Sequence, residues 1–249
     1  MLGRTWRIGR YVATATLIAG GLIAMPATAP AISLRAGTSA PIIGLAATPS
    51  GGGYWQVGLD GGVVNSGDAG FYGSMTGTPL NKPIVGMAPT TSGRGYWLTA
   101  SDGGMFNFGD ARFYGSTGAM RLNQPIVGMA ATPTGAGYWL VASDGGIFSF
   151  GDARFYGSTG GLRLNRPIVG MAATPSGRGY WLVASDGGVF GFGDASFYGS
   201  TGGMVLNKPI VGIAPAIDGR GYLMVASDGG VFKFGSVEFF GSAASACQT

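Results

Sequence analysis

A unit of 42 residues occurs five times in this chain of 249 residues, and this repetition constrains the fold more than any other feature. The tetrapeptide Pro-Ile-(Val/Ile)-Gly begins each copy, at Pro41, Pro83, Pro125, Pro167 and Pro209. No insertion or deletion separates the copies, so their register never changes. A fixed period of this length predicts a repeat architecture in which each unit buries its faces against its neighbours.

Turn signals divide each copy into four short segments with the composition of strands. In the third copy the predicted strands are a (126–132), b (138–143), c (146–150) and d (154–158). The dipeptide Asp144-Gly145, between b and c, is a strong signal for a tight hairpin because such a turn needs a positive φ. Both faces of strand b are apolar, so we expect this strand to be covered on both sides.

A four-stranded unit of this length, covered on both faces, is typical of a propeller blade. The sequence therefore predicts an all-β, five-bladed β-propeller built from five four-stranded repeats. No strand is left over at one end to complete a blade at the other. An open β-solenoid is therefore the alternative, and the first copy has the atypical composition of an end repeat, with Val64 and Ser66 where the second has Phe106 and Phe108.

The chain is expected to divide into four parts. Residues 1–29 have the features of a secretory signal peptide, with a positive start, an apolar stretch and the small residues Ala27-Thr28-Ala29 at the cleavage positions. A linker (30–40), the propeller (41–242) and a C-terminal tail (243–249) follow. This division predicts a secreted or cell-envelope-associated protein with no stable membrane span after signal removal.

Composition argues against several functions. The chain has no His and one Cys, Cys247, which excludes His-dependent catalysis, an internal disulfide framework and multi-Cys metal sites. The Asp residues recur from copy to copy, so they see similar surroundings and cannot easily serve as one acid and one base. Without the three Arg of the signal peptide, the 15 basic residues become 12 against 11 acidic ones, too balanced for a nucleic-acid-binding footprint. We therefore predict no catalytic residues, no metal and no cofactor.

The string Gly-Tyr-Trp-Leu-Val-Ala-Ser-Asp-Gly-Gly-Val-Phe at 179–190 is followed by Phe-Gly-Asp-Ala at 192–195 and Phe-Tyr-Gly-Ser at 197–200. These motifs resemble a repeat of secreted proteins from mycobacteria and other actinobacteria, often found beside cell-wall hydrolase or esterase domains. The resemblance covers about 41–242 and implies a non-catalytic role in the envelope or outside the cell. It supplies no ligand and no site residues, and we expect no catalytic domain beside these repeats.

Two repeated positions are candidate ligand contacts. Tryptophans in strand b could stack on sugar rings, although packing between blades is the alternative; they are Trp55, Trp97, Trp139 and Trp181. Asparagines in the connector between copies could form one polar pocket per blade boundary, or could simply bond their own turn; they are Asn81, Asn123, Asn165 and Asn207.

The leading hypothesis is a secreted, non-catalytic module that recognises a cell-envelope or extracellular glycan through repeated sites. The alternative is a protein-interaction scaffold or structural module of the envelope. The two differ in stoichiometry, because a glycan-binding module should have several equivalent sites and a protein partner should have one.

Overall fold

The computed structural model describes residue 38 and residues 40–243, together with the backbone of a short strand, β1 (Thr14–Ala15). The rest of the predicted signal peptide, most of the predicted linker, and Cys247 lie outside the described residues. In the part of the chain that is described, no helix is long and apolar enough to cross a membrane.

Each repeat contributes three strands to one antiparallel sheet, and the described residues contain five such sheets, the first of which also includes β1. The inner strands are β2 (Ile42–Ala47), β5 (Ile84–Pro89), β8 (Ile126–Ala131), β11 (Ile168–Ala173) and β14 (Ile210–Pro215). The middle strands are β3 (Gly53–Gly58), β6 (Gly95–Ala100), β9 (Gly137–Ala142), β12 (Gly179–Ala184) and β15 (Gly221–Ala226). The outer strands are β4 (Val63–Gly67), β7 (Met105–Gly109), β10 (Ile147–Gly151), β13 (Val189–Gly193) and β16 (Val231–Gly235). Strands a, b and c are thus confirmed within one or two residues.

The predicted fourth strand, d, is wrong: residues 154–158 contain no strand. Their backbone groups bond to side chains instead of to β10. The carbonyl of Arg154 accepts the Trp139 indole N–H at 2.8 Å, and the carbonyl of Gly157 accepts the Tyr180 hydroxyl at 2.7 Å. Gly157 has a φ of 136°, which an extended strand does not allow. The segment after each outer strand therefore runs to the next repeat; we call it the latch segment (71–74, 113–116, 155–158, 197–200 and 239–242).

The core lies between consecutive repeats, not within them. The Trp face of one middle strand packs on the Tyr face of the next; for example, Trp139 and Val141 share a cluster with Tyr180 and Leu182. The Trp and Tyr ring centroids are 5.7 Å apart at this junction, which is within the range of favourable aromatic pairs. The described residues form four such clusters, one at each junction from repeats 1–2 to repeats 4–5. The expectation that strand b is covered on both faces is confirmed.

The five inner strands surround a common axis. Residues from all five line one small cavity, among them Gly44, Gly86, Gly128, Gly170 and Gly212. An open solenoid could not bring its first and last repeats to one such cavity, so the arrangement is propeller-like. β1 pairs antiparallel with β2, with Thr14 opposite Ala46, and also lies against β14. It therefore occupies the gap between the fifth and first repeats.

Candidate functional site

The ring has two chemically different ends. At the turn end lie the a–b turns, where the Thr132 hydroxyl donates to Asp152 across 2.9 Å. At the connector end lie the b–c turns and the links between repeats. There the Thr159 hydroxyl donates to the carbonyl of Asp144 at 3.0 Å, which holds the link against the b–c turn of its own repeat.

A cavity of about 440 Å³ opens on the axis at the turn end. All five repeats contribute to it at two equivalent positions. The first set is Ala47, Pro89, Ala131, Ala173 and Pro215, and the second is Pro49, Thr91, Pro133, Pro175 and Ile217. Nine of these ten side chains are apolar. A cavity of this size and lining is typical of a binding site for an apolar group.

The polar groups beside this cavity already have partners. The hydroxyls of Thr90, Thr132 and Thr174 also line it, and each donates to the repeat's own Asp at 2.8–2.9 Å. A second hydroxyl, such as that of Ser92, bonds the other carboxylate oxygen at 2.5 Å. These bonds leave few donors or acceptors for a polar ligand.

The same bonds set the ionisation of the carboxylates. The Ser50 and Thr48 hydroxyls lower the pKa of Asp68, because their hydrogen bonds favour the charged form. The pKa of Asp110 is lowered first by Ser92, then by Thr90 and by Arg94, whose Nε lies 3.7 Å from the carboxylate. These carboxylates are therefore turn-holding groups that stay charged at neutral pH.

The fifth repeat makes the same contact with its two residues exchanged. Asp218 stands where the fourth repeat has Ser176, and Ser236 stands where it has Asp194. The Ser236 hydroxyl donates to Asp218 Oδ2 at 3.0 Å, and the Arg220 amide lowers the pKa of Asp218 by donating to it at 2.9 Å. Asp218 is exposed, but it has a structural partner.

The candidate tryptophans are core residues. Trp55, Trp97, Trp139 and Trp181 are at most 1% exposed. Each indole N–H donates to a backbone carbonyl of its own repeat at 2.6–2.8 Å. A sugar needs an accessible ring face for stacking, and the structure leaves none.

The candidate asparagines lie at the connector end and are all exposed: Asn81, Asn123, Asn165 and Asn207. Their side chains make no hydrogen bond to any residue that the structure describes. The interpretation that Asn bonds its own turn therefore has no support among the described residues, and these exposed amides are available to a ligand. They lie one per connector and are separate from the axial cavity.

The Asp residues of the b–c turns bond the backbone of their own turns. Asp144 accepts a hydrogen bond from the Gly146 amide at 2.9 Å, and the other four repeats make the same contact. An Asp side chain that bonds the backbone two residues later is a turn-stabilising contact. The hairpin interpretation of Asp-Gly is confirmed.

One repeated feature was missed at the level of the sequence. The Phe that begins every latch segment is between 40% and 63% exposed, although it is apolar and identical in all five copies: Phe71, Phe113, Phe155, Phe197 and Phe239. A large apolar residue repeated without variation suggests a core position. The segment predicted as strand d is not a strand in the structure, and only this finding shows that these side chains lie outside the core.

No family model matches this chain, and no curated protein matches it. Among solved structures, the β-propeller domain of Cps50 (Swd1) from Myceliophteria thermophila is similar, with a TM-score of 0.55 and 13% identity. The match covers 84% of this chain and 69% of that domain. At this identity the likeness shows the fold alone. The described residues thus have an all-β, propeller-like fold of five repeats, with three strands from each repeat.

Proposed function

We propose that this chain is a non-catalytic scaffold that binds a protein partner, and that the partner inserts an apolar side chain or loop tip into the axial cavity. The observation that carries this proposal is the axial cavity of about 440 Å³ at the turn end, to which every repeat contributes. Because the cavity lies on the axis, it takes one partner per ring. Its lining of Ala, Pro and Ile favours burial of an apolar anchor over binding of a hydroxyl-rich sugar.

The fold supports this role by analogy, since propellers present rigid faces on which partners can dock. The cell-envelope or extracellular location is part of the same proposal. It rests on the signal-like residues 1–29 and on the resemblance to secreted actinobacterial repeats.

Selection of peptides from a random display library on the full chain would test the proposal. Selected peptides should carry an apolar anchor, bind with one peptide per chain, and lose at least tenfold in affinity for Ile217→Asp, which places a charge in the cavity lining. The matched control is Asn123→Ala/Asn165→Ala at the opposite end, which should bind normally. Several peptides per chain, or loss of binding only in the asparagine variant, would contradict the proposal.

Repeated glycan sites at the connector end are the second candidate. The free amides of the four connector asparagines favour it, because an unbonded amide can donate to and accept from a sugar hydroxyl. Equilibrium dialysis against solubilised envelope polysaccharide should then show several equivalent sites, weakened in Asn123→Ala/Asn165→Ala. The unfolding midpoint of this variant should match that of the unmodified chain, so that weaker polysaccharide binding reflects the lost amides and not a loss of folding.

A further inference from the structure

Four of the five junctions between neighbouring repeats share one hydrogen-bonded contact. At the junction of repeats 2 and 3, the Tyr138 hydroxyl accepts the Tyr114 amide N–H at 3.1 Å and donates to the Gly115 carbonyl at 2.6 Å. The Tyr114 hydroxyl in turn donates to the Gly135 carbonyl at 3.1 Å. We call these three bonds the tyrosine latch.

The other three junctions repeat this latch in full. Their receiving tyrosines are Tyr96, Tyr180 and Tyr222. All four receiving tyrosines are fully buried. The latch is therefore the standard polar contact of a sealed junction in this molecule.

The fifth junction, between repeats 5 and 1, contains the parts of a latch that has not formed. Tyr54 stands at the receiving position but is only partly buried, and its hydroxyl has no hydrogen bond to a described residue. On the other side, Phe240 replaces the tyrosine of the latch segment and is 73% exposed. The next residue, Gly241, has open space around it, whereas Gly115 lies against the Phe150 ring.

The apolar packing at this junction is reduced in both repeats. In the first repeat, Gln56 and Ser66 stand where the second has Leu98 and Phe108. In the fifth, Leu223 replaces the tryptophan of the middle strand. The residues that the structure describes form no cluster here comparable with the other four.

We propose that the gap between the fifth and first repeats is a reversible seam, which closes when the Tyr54 hydroxyl accepts the Phe240 amide N–H and donates to the Gly241 carbonyl. Two of the three latch bonds need only Tyr54 and the backbone of the fifth repeat, so this chain can make them. The third is lost because Phe240 has no hydroxyl. With polar bonds available and apolar burial reduced, the seam closes weakly while the other four junctions stay sealed. In the uncleaved chain, closure competes with β1, which pairs with β2 in this gap.

The seam does not depend on the proposed use of the axial cavity. Closure brings together two parts of one chain, so it is independent of protein concentration. The direct readout is hydrogen exchange of single amides in the full chain. The Phe240 amide reports on the seam, and the Tyr114 amide reports on a sealed junction.

We expect the Phe240 amide to exchange several-fold more slowly than an unprotected amide, and Tyr54→Phe to remove that protection. The matched control, Tyr138→Phe, should expose the Tyr114 amide and leave Phe240 unchanged. Conversely, Phe240→Tyr restores the missing donor toward the Gly51 carbonyl. It should raise protection at residue 240 further, but only while Tyr54 is present.

Two results would overturn the proposal. One is a Phe240 amide that exchanges at the unprotected rate in both the unmodified chain and Phe240→Tyr, since the seam would then never close. The other is protection that rises with protein concentration, since the contact would then form between copies of the chain. Because exchange is read at a surface residue, Tyr54→Phe need not alter the overall fold to be informative.

Discussion

At the scale of single residues, a tyrosine hydroxyl of the later repeat joins it to the preceding repeat at each of the four sealed junctions. Tyr138 belongs to β9, yet both of its polar partners, the Tyr114 amide and the Gly115 carbonyl, belong to the preceding repeat. The ring beneath the hydroxyl packs 5.8 Å from Trp97 of that repeat. One side chain therefore supplies both apolar burial and a directed polar contact, which fixes the position of each repeat on the next.

Removing this hydroxyl should destabilise the whole ring. Tyr138→Phe keeps the ring packing but leaves a backbone N–H and a carbonyl without their partner, at a cost of about 1–3 kcal/mol in the free energy of unfolding. Urea unfolding followed by circular dichroism measures this loss. The comparison variant is Phe155→Tyr, which adds a hydroxyl at an exposed ring and should change stability by no more than about 0.5 kcal/mol. Equal effects of the two variants would show that the latch is not a stabilising contact.

Alkaline pH should open the same contacts. Burial raises the pKa of Tyr96 from 10.0 to about 12, and burial also raises the pKa of Tyr138, Tyr180 and Tyr222. The folded state therefore holds these protons more tightly than the unfolded state does. For Tyr96 the contribution to stability is complete below pH 10 and is lost as pH rises from 10 toward 12. The other three tyrosines contribute in the same direction above pH 10.

Thermal unfolding midpoints across this pH range would measure the loss. We expect Tyr96→Phe to flatten the decline, because one of the four titrating groups is removed. A midpoint that does not change between pH 9 and about 11.5 would contradict the assignment of these pKa shifts to folding.

At the scale of secondary-structure elements, the sequence specified strands where local signals are strong. Turn dipeptides and alternating apolar residues located the inner, middle and outer strands, since those signals act within a few residues. Strand d could not be judged in this way. The segment around Phe155 and Tyr156 has strand-like composition, but its backbone bonds to Trp139 and Tyr180, and the latter lies in the next repeat. A contact between repeats has no signature in the local pattern.

In the candidate site, too, the sequence showed which residues repeat but not how the repeats pack them. The tryptophans and asparagines were visible as repeated residues, but their burial depends on how the sheets pack. The axial cavity is formed by alanines and prolines that only the ring brings together. Asp218 and Ser236, read separately, look like isolated departures from the repeat, whereas in space they are one exchanged pair.

This exchanged pair offers a direct test of the turn contact. Ser236→Asp alone places two carboxylates together and should lower stability, because like charges repel at short range. Asp218→Ser alone leaves two hydroxyls and should also lower it. The double variant Asp218→Ser/Ser236→Asp restores the hydroxyl–carboxylate pair in the order found in the other four repeats and should recover most of the loss. It does not restore the bond from the Thr hydroxyl, because Ala216 stands where the fourth repeat has Thr174. The order of the unfolding midpoints checks this, and a double variant no more stable than Ser236→Asp would argue against a paired contact.

At the scale of the whole molecule, stability depends on how many junctions are sealed. Each repeat buries its two faces only against neighbours, so the array is held by four apolar clusters among the described residues and is weakest where the two ends meet. The end faces are also the more polar ones, with Gln56 and Ser66 on the first repeat. Polar end faces disfavour end-to-end association of one molecule with another. They also make the seam the place where the ring can open.

The four repeat tryptophans report on the sealed junctions together, because Trp55, Trp97, Trp139 and Trp181 each lie in one of the four clusters. Their burial predicts native emission that is blue-shifted relative to the unfolded chain and poorly quenched by acrylamide. Trp6 lies outside the described residues, so the measurement belongs in a Trp6→Phe chain. Polysaccharide should leave this emission unchanged, whether or not it binds at the connector asparagines, since the four tryptophan rings are buried between repeats. A saturable fluorescence change on adding polysaccharide, or strong quenching of the native chain by acrylamide, would mean that the tryptophan faces are open and that the packing between repeats differs from that described here.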